Sequence, residues 1–178
     1  SLWKSAQLID SEEYYEESLN SEVYDAIHEV FPFCNLIIGS QKELLLATNT
    51  RYLQTAIEVL QRRTKACVIE KNIEQGCCAY LSSDSAKKHE GFAVNVFNTL
   101  GVKNAFLSGF LRGWIESKSI EESMSWGNAC GAIVASRKNS YLEMPYEEEL
   151  QEFFRNQQTV SKLQPVHRQI IVANKLKK

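Results

Sequence analysis

The chain has 178 residues, 44% of them hydrophobic and 24% charged, with 8 Gly and 3 Pro, which is the balance of one soluble α/β domain and excludes a disordered or fibrous chain. The formal net charge is −2 and the pI about 6.0, so no basic field recommends a nucleic-acid partner. No apolar run approaches the roughly 20 residues of a membrane span and no signal-peptide pattern opens the chain, so no membrane association is expected and a cytoplasmic setting is.

In chain order, a polar, acidic opening leads to "SEVYDAIHEVF", where Val23, Ile27, Val30 and Phe31 fall on one helical face and predict an amphipathic helix. "NLIIG" (35–39) is a short continuous apolar run of the buried-strand kind. Ser40, three residues before Glu43, forms a capping box that starts the next helix. The helix "TRYLQTAIEVLQRR" and the strand "ACVIE" (66–70) follow, so residues 35–70 read as a right-handed β-α-β unit. "CCAYL" (77–81) and "FAVNVF" (strand near 93–97) read as two more strands, with "SSDSAKKHEG" as a polar turn between them. From residue 102 the chain reads as helical: "VKNAFLSGFLRGWIES", then "IEESMSWGNACGAIVASRK" behind a second capping box (Ser119, Glu122), then "YEEELQEFF" with Pro145 at its first turn. No internal repeat or linker marks a domain boundary.

Cys34, Cys67, Cys77, Cys78 and Cys130 are odd in number and carry no metal-ligand spacing, so they read as buried free thiols of a reducing compartment, vicinal Cys77 and Cys78 included. His28, His89 and His167 are isolated and read as surface residues. The basic residues Lys162, His167, Arg168, Lys175, Lys177 and Lys178 are interleaved with apolar ones and read as a solvated tail. Taken alone, the turn at 98–104 is a strand-to-helix connection in which Gly101 relieves strain.

The segment "GFAVNVFNTLGVKNAFLSGFLRGWIESKSIEESMSWGNACGAIVASRKNSYLEMPYEEELQEFF" closely resembles the C-terminal end of ribokinase-like (PfkB family) sugar kinases, especially the 5-dehydro-2-deoxygluconokinases. Upstream, "SLWKSAQ" is similar to their R-P-x-x-W-x-S segment, "NLIIGSQKELLLAT" to V-I-G-T-E-E-E-F, and "ACVIEKNIEQGCCAY" to V-K-R-G-P-x-G-C. The likeness covers about residues 1 to 155, and implies a ribokinase-like domain over residues 1–158 with a basic tail at 159–178. It implies a three-layer, Rossmann-like α/β fold with a mainly parallel sheet, ATP over the C-terminal edge of the strands and Mg2+ bridging the phosphates.

The family's D-T-x-G-A-G-D signature brings backbone N–H groups to the transferring phosphoryl group at a helix N-terminus, and its last Asp takes the proton of the sugar hydroxyl. By resemblance, Asn98 stands at the first Asp, Thr99 at the Thr, Gly101 at the first Gly, Val102 at the Ala, Lys103 at the second Gly and Asn104 at the catalytic Asp. An amide accepts no proton near neutrality, and Lys103 puts a side chain where close backbone approach is needed, although its ammonium offers charge. Lys71 and Gly76 are kept from the strand-turn-strand, while Asn72, Ile73 and Glu74 replace Arg, Gly and Pro.

Glu43 is either a contact to magnesium-bound water or the reciprocal partner of Ser40 in the cap. Asn128 and Gly131, in the small-residue run "GNACGAIVAS", either line an adenine pocket or serve close packing. Family members are much longer and carry most sugar-binding residues in an N-terminal half. A chain complete as given would be the nucleotide-binding half alone, unable to phosphorylate a sugar unaided, with a homodimer or a partner chain covering the face that half would occupy. A pseudokinase that binds nucleotide or a partner, or an interaction module that kept only the fold, are the alternatives.

Overall fold

The computed structural model describes residues 21–72, 75–82, 85–138 and 144–163. "SLWKSAQ" and the acidic opening, Ile73 and Glu74, and the tail beyond residue 163 lie outside the described residues. The chain divides into two compact units, Ser1–Glu90 and Gly91–Lys178.

In the first unit, α1 (Ser21–Val30) runs into a 3-10 turn (Phe31–Phe33) and then β1 (Leu36–Ser40), α2 (Gln41–Thr48), α3 (Leu53–Arg63), β2 (Cys67–Asn72), β3 (Gly76–Ser82) and β4 (Ser85–His89). The strands form one sheet in the order β1-β2-β3-β4. β1 and β2 are parallel, joined through α2 and α3 as the β-α-β reading expects. The described sheet is nevertheless mixed and not mainly parallel, because β2-β3 and β3-β4 are antiparallel. Residues 73–75 are too few for a crossover helix, so the chain can only turn back beside β2.

Two strand expectations change places. Ser85–His89, expected as part of a polar turn, pairs with β3 as an edge strand, Cys78 opposite Lys88 and Ala79 opposite Lys87. Exposed lysines suit a strand whose outer backbone groups face water. Residues 92–97, expected as a strand, form none: Phe92 and Val94 pack on the helical core while Val96 and Phe97 are exposed. Their period of two is real, but a strand needs a ladder partner, and no described strand pairs with them.

Phe31, Leu44, Ile57, Leu60 and Val68 form the core of the first unit, with Ile27 and Ile37 packed against it. On α1 the buried face is rotated from the expected one, since Val23 and Val30 are exposed. Its inward residue is His28, which overturns the surface reading: the ring is 5% exposed, packs tilted against Tyr24, and donates from Nε2 to the carbonyl of Ala47 at 2.9 Å. That bond ties α1 to α2 and offsets the cost of burying a polar ring. Among the thiols, Cys67, Cys77 and Cys130 are buried as expected, whereas Cys34 and Cys78 are only half-buried.

The second unit contains α4 (Val102–Ile115), α5 (Ile120–Ala135) and α6 (Glu147–Leu163). α6 extends past both the expected helix and the expected boundary at residue 158. α5 opens with the expected capping box, Glu122 N donating to Ser119 Oγ at 3.2 Å and Ser119 N to Glu122 Oε2 at 3.0 Å. α4 and α5 pack face to face through small residues. A Cβ on Gly109 would lie 2.6 Å from the carbonyl oxygen of Trp126, and one on Gly127 would lie 2.9 Å from the Phe106 ring. Such approach is open only to residues without a side chain. Val102, Ala105, Trp126, Ala129, Ile133, Val134 and Leu150 make the core here.

Candidate functional site

In the first unit the parallel pairing of β1 with β2 sets Ser40 opposite Lys71, at the carboxyl ends of both strands. α2 begins at the next residue. Ser40 N donates to Glu43 Oε2 at 2.6 Å and Glu43 N donates to Ser40 Oγ at 3.3 Å, completing the cap. The same Oε2 lies 3.5 Å from Lys71 Nζ. Glu43 and Lys71, twenty-eight residues apart in sequence, thus meet at the strand edge where open α/β sheets bind ligands. Gly76 opens β3 at φ 95, a left-handed conformation that favours glycine, so its retention has a backbone cause. Asn72, at a departure from the family pattern, accepts from Gln75 N at 3.2 Å through Oδ1.

In the second unit the turn before α4 is held by Asn98. Its Oδ1 accepts from Leu100 N at 2.9 Å, its Nδ2 donates to the carbonyl of Lys138 at 3.3 Å, and its N donates to the carbonyl of Ala135 at 3.3 Å. The carbonyl of Thr99 accepts from Val102 N at 3.3 Å. Gly101 sits at φ 83 as the N-cap of α4 and offers no side chain to the helix N–H groups. No acidic residue lies in the first turn, where Lys103 and Asn104 are exposed and the Val102 side chain is in the core. An uncapped N-terminus free of carboxylates favours an anion through its N–H groups and dipole.

Further along, Asn128 is 7% exposed inside α5, and Gly131 faces α4, where a Cβ would meet Val102 at an ordinary 3.6 Å. Gly127 and Gly131 of α5 both face α4, through Phe106 and Val102.

A row that the sequence reading did not single out crosses the sheet in register, Glu70 beside Cys78 beside Lys88, with Tyr80 next along β3. Burial raises the Glu70 carboxyl above its ordinary value, against the pull of Lys88. Burial also raises Cys78, and burial with the Cys78 hydrogen bond raises Tyr80. The signal for this row was one charged residue ending the apolar run "ACVIE", but only strand pairing joins it to Lys88.

The family model for pfkB family carbohydrate kinases matches residues 8–147, so this chain belongs to that family. Among curated relatives it is similar to the 5-dehydro-2-deoxygluconokinase of Halalkalibacterium halodurans, 25% identical over 130 residues, which are 71% of this chain and 39% of that protein. The fold is that of two solved structures. One is the fructokinase of Vibrio cholerae with fructose, ADP and calcium bound, at TM-score 0.66 and 21% identity over 74% of this chain and 44% of that one. The other is a candidate ribokinase II of E. coli in complex with ATP and Mg2+, at TM-score 0.68 and 22% identity over 76% and 44%. The chain therefore spans about two fifths of the curated relative it matches. The mixed sheet flanked by helices is the corresponding part of a ribokinase-like α/β fold.

Proposed function

We propose that this chain is a nucleotide-binding part of a ribokinase-like carbohydrate kinase that holds ATP phosphates at the N-terminus of α4 and, by itself, transfers a phosphoryl group to a sugar negligibly. The observation that carries this reading is the first turn of α4, uncapped and without a carboxylate, with Asn104 exposed where the family resemblance puts the proton acceptor. A phosphate fits N–H groups and the Lys103 ammonium, whereas a sugar hydroxyl finds no base. Asn98, Thr99, Gly101, Val102 and Lys103 shape that turn, with Asn128 and Gly131 as the candidate adenine contacts.

When bound, Mg2+ supplies charge that offsets the phosphate oxygens. Glu43 suits it only through water, since its Oε2 already accepts from Ser40 N and faces Lys71. The acceptor class suggested by the gluconokinase relatives is 5-dehydro-2-deoxygluconate. Five free thiols support a reducing, cytoplasmic setting.

The test is a thermal-shift titration with ATP and Mg2+, together with ATP consumption in the presence of 5-dehydro-2-deoxygluconate and related sugars. Ligand at a hundred times its Kd raises stability by about 2.7 kcal/mol. The expected result is stabilisation without acceptor-dependent turnover. Robust turnover by the unmodified chain sinks the inactive-kinase reading, and no stabilisation sinks the nucleotide reading.

The alternative, an interaction module, is favoured by one feature: Val96, Phe97 and Leu100 are 62%, 65% and 64% exposed within five residues. Such a patch suits a second copy or a partner polypeptide. Under this reading ATP changes nothing, while light scattering finds a dimer; a clean monomer at high concentration counts against it.

A further inference from the structure

We propose that Asn98 acts as a positioning residue, whose carboxamide holds the 98–101 turn in the conformation that presents the N-terminus of α4 to phosphate. The inference rests on the nucleotide reading above and assigns Asn98 a role through the backbone, without contact to the ligand. Both ends of the side chain are engaged in opposite senses. Oδ1 accepts from Leu100 N at 2.9 Å, inside the turn, and Nδ2 donates to the carbonyl of Lys138 at 3.3 Å, beyond the end of α5. The Asn98 N–H and the Phe97 N–H both donate to the carbonyl of Ala135, at 3.3 and 2.8 Å.

The turn is therefore clipped to the C-terminal end of α5 by main chain and side chain together. Gly101, three residues on, takes φ 83 and starts α4. Rotation at the turn would re-aim the first N–H groups of α4, which is where a phosphate oxygen would have to meet them.

The chemistry of the clip explains why the residue is Asn in this chain. A carboxylate can accept from Leu100 N but has no proton to donate to Lys138, and it would set a negative charge against a carbonyl oxygen. Restoring the family's Asp at this position is thus a loss here, even though the two residues have the same shape. The small side chains that could stand in for Asn fail in different ways, which makes the proposal separable. Asp keeps one of the two bonds, and Ala keeps neither.

The experiment uses the full chain with Asn98→Asp and Asn98→Ala, reading ATP affinity by calorimetry, thermal stability, and hydrogen exchange at the amides of 100–104. The expected result is exchange accelerated in that stretch for both variants, a melting temperature close to the unmodified chain, and ATP affinity lowered by up to about tenfold, the size of one lost hydrogen bond. The neutral Ala variant separates this from simple repulsion between the carboxylate introduced by Asn98→Asp and phosphate. Unchanged exchange in Asn98→Asp overturns the proposal, as does a loss of stability with ATP affinity per folded molecule unaltered. If the unmodified chain binds no ATP, the nucleotide reading fails and the exchange data still decide whether Asn98 holds the turn.

Discussion

Lys71 Nζ stands 3.5 Å from Glu43 Oε2, across the edge where β1 and β2 end side by side. The carboxylate that closes a helix cap is therefore also the anion beside a lysine whose side chain is only 15% exposed. Removing one function without the other is possible. Glu43→Gln keeps an acceptor for Ser40 N and loses the charge, whereas Glu43→Ala loses both. The Ala variant should lower stability by about 1 kcal/mol and the Gln variant by less, since the Glu43 side of the pair is 52% exposed and screened by solvent. Urea midpoints at low and high salt check this, the Gln effect shrinking as salt rises. Equal losses for the two variants would show that the cap contributes nothing.

The α4–α5 contact separates two glycines that look alike in sequence. Gly109→Ala would set a Cβ 2.6 Å from the Trp126 carbonyl oxygen and 2.7 Å from Cys130 Sγ, so it should cost about 1–3 kcal/mol, as overpacking does. Gly131→Ala meets Val102 only at 3.6 Å and should be neutral or stabilising by up to about 1 kcal/mol through helix propensity. Thermal melts decide between them. If Gly131 also borders the adenine, its Ala variant keeps or gains stability while ATP affinity falls.

For the turn itself, Asn104→Asp alone should recover little turnover. A base within reach of a hydroxyl contributes roughly a hundredfold to ten-thousandfold when everything else is in place, but Lys103 stands exposed where the family resemblance puts a glycine. Asn104→Asp with Lys103→Gly should also recover little turnover, and should bind ATP more weakly than the unmodified chain, because an ammonium is lost and a carboxylate enters the first turn of α4. Coupled ATP-consumption assays and calorimetry on both variants check this, and a large gain in turnover from Asn104→Asp alone would contradict it.

Burial pushes the Cys67 and Cys130 thiols up to about 11. Both should resist alkylation in the native state while half-buried Cys34 reacts, with mass spectrometry locating the label. The sign for stability follows from the same shift. As pH rises past about 9 the unfolded chain gives up these protons first, so stability falls on the alkaline side.

The acid limb has the opposite origin. The Tyr146 N–H and Arg137 hold the Glu149 carboxyl below its ordinary value, and Ser119 does the same for Glu122. Their contributions are complete above the ordinary carboxylate range and are lost as pH falls through the depressed values. Glu149→Gln should flatten that part of a melting-temperature curve measured below about pH 4.5. An unchanged acid slope would mean that the unfolded chain keeps the same pairing.

The elements legible in the sequence were those set by neighbours in the chain. Ser40 with Glu43 and Ser119 with Glu122 announce helix starts because a cap is a contact across three residues. β1, β2, β3 and the three helices of the second unit follow from runs and periods of side chains within one segment, and the family likeness rests on the same local stretches.

Whatever depended on a partner far along the chain waited for the tertiary structure. "FAVNVF" has a strand's alternation and no described ladder, while the polar "SAKKH" has the ladder because β3 offers its open edge. His28 reads as a surface residue until the carbonyl of Ala47 accepts a hydrogen bond from its ring. Glu43 meets Lys71, and Asn98 meets Lys138, only through strand register and helix packing. A side chain's identity bounds what it can donate or accept, but burial and distance choose among those possibilities, and both belong to the folded chain.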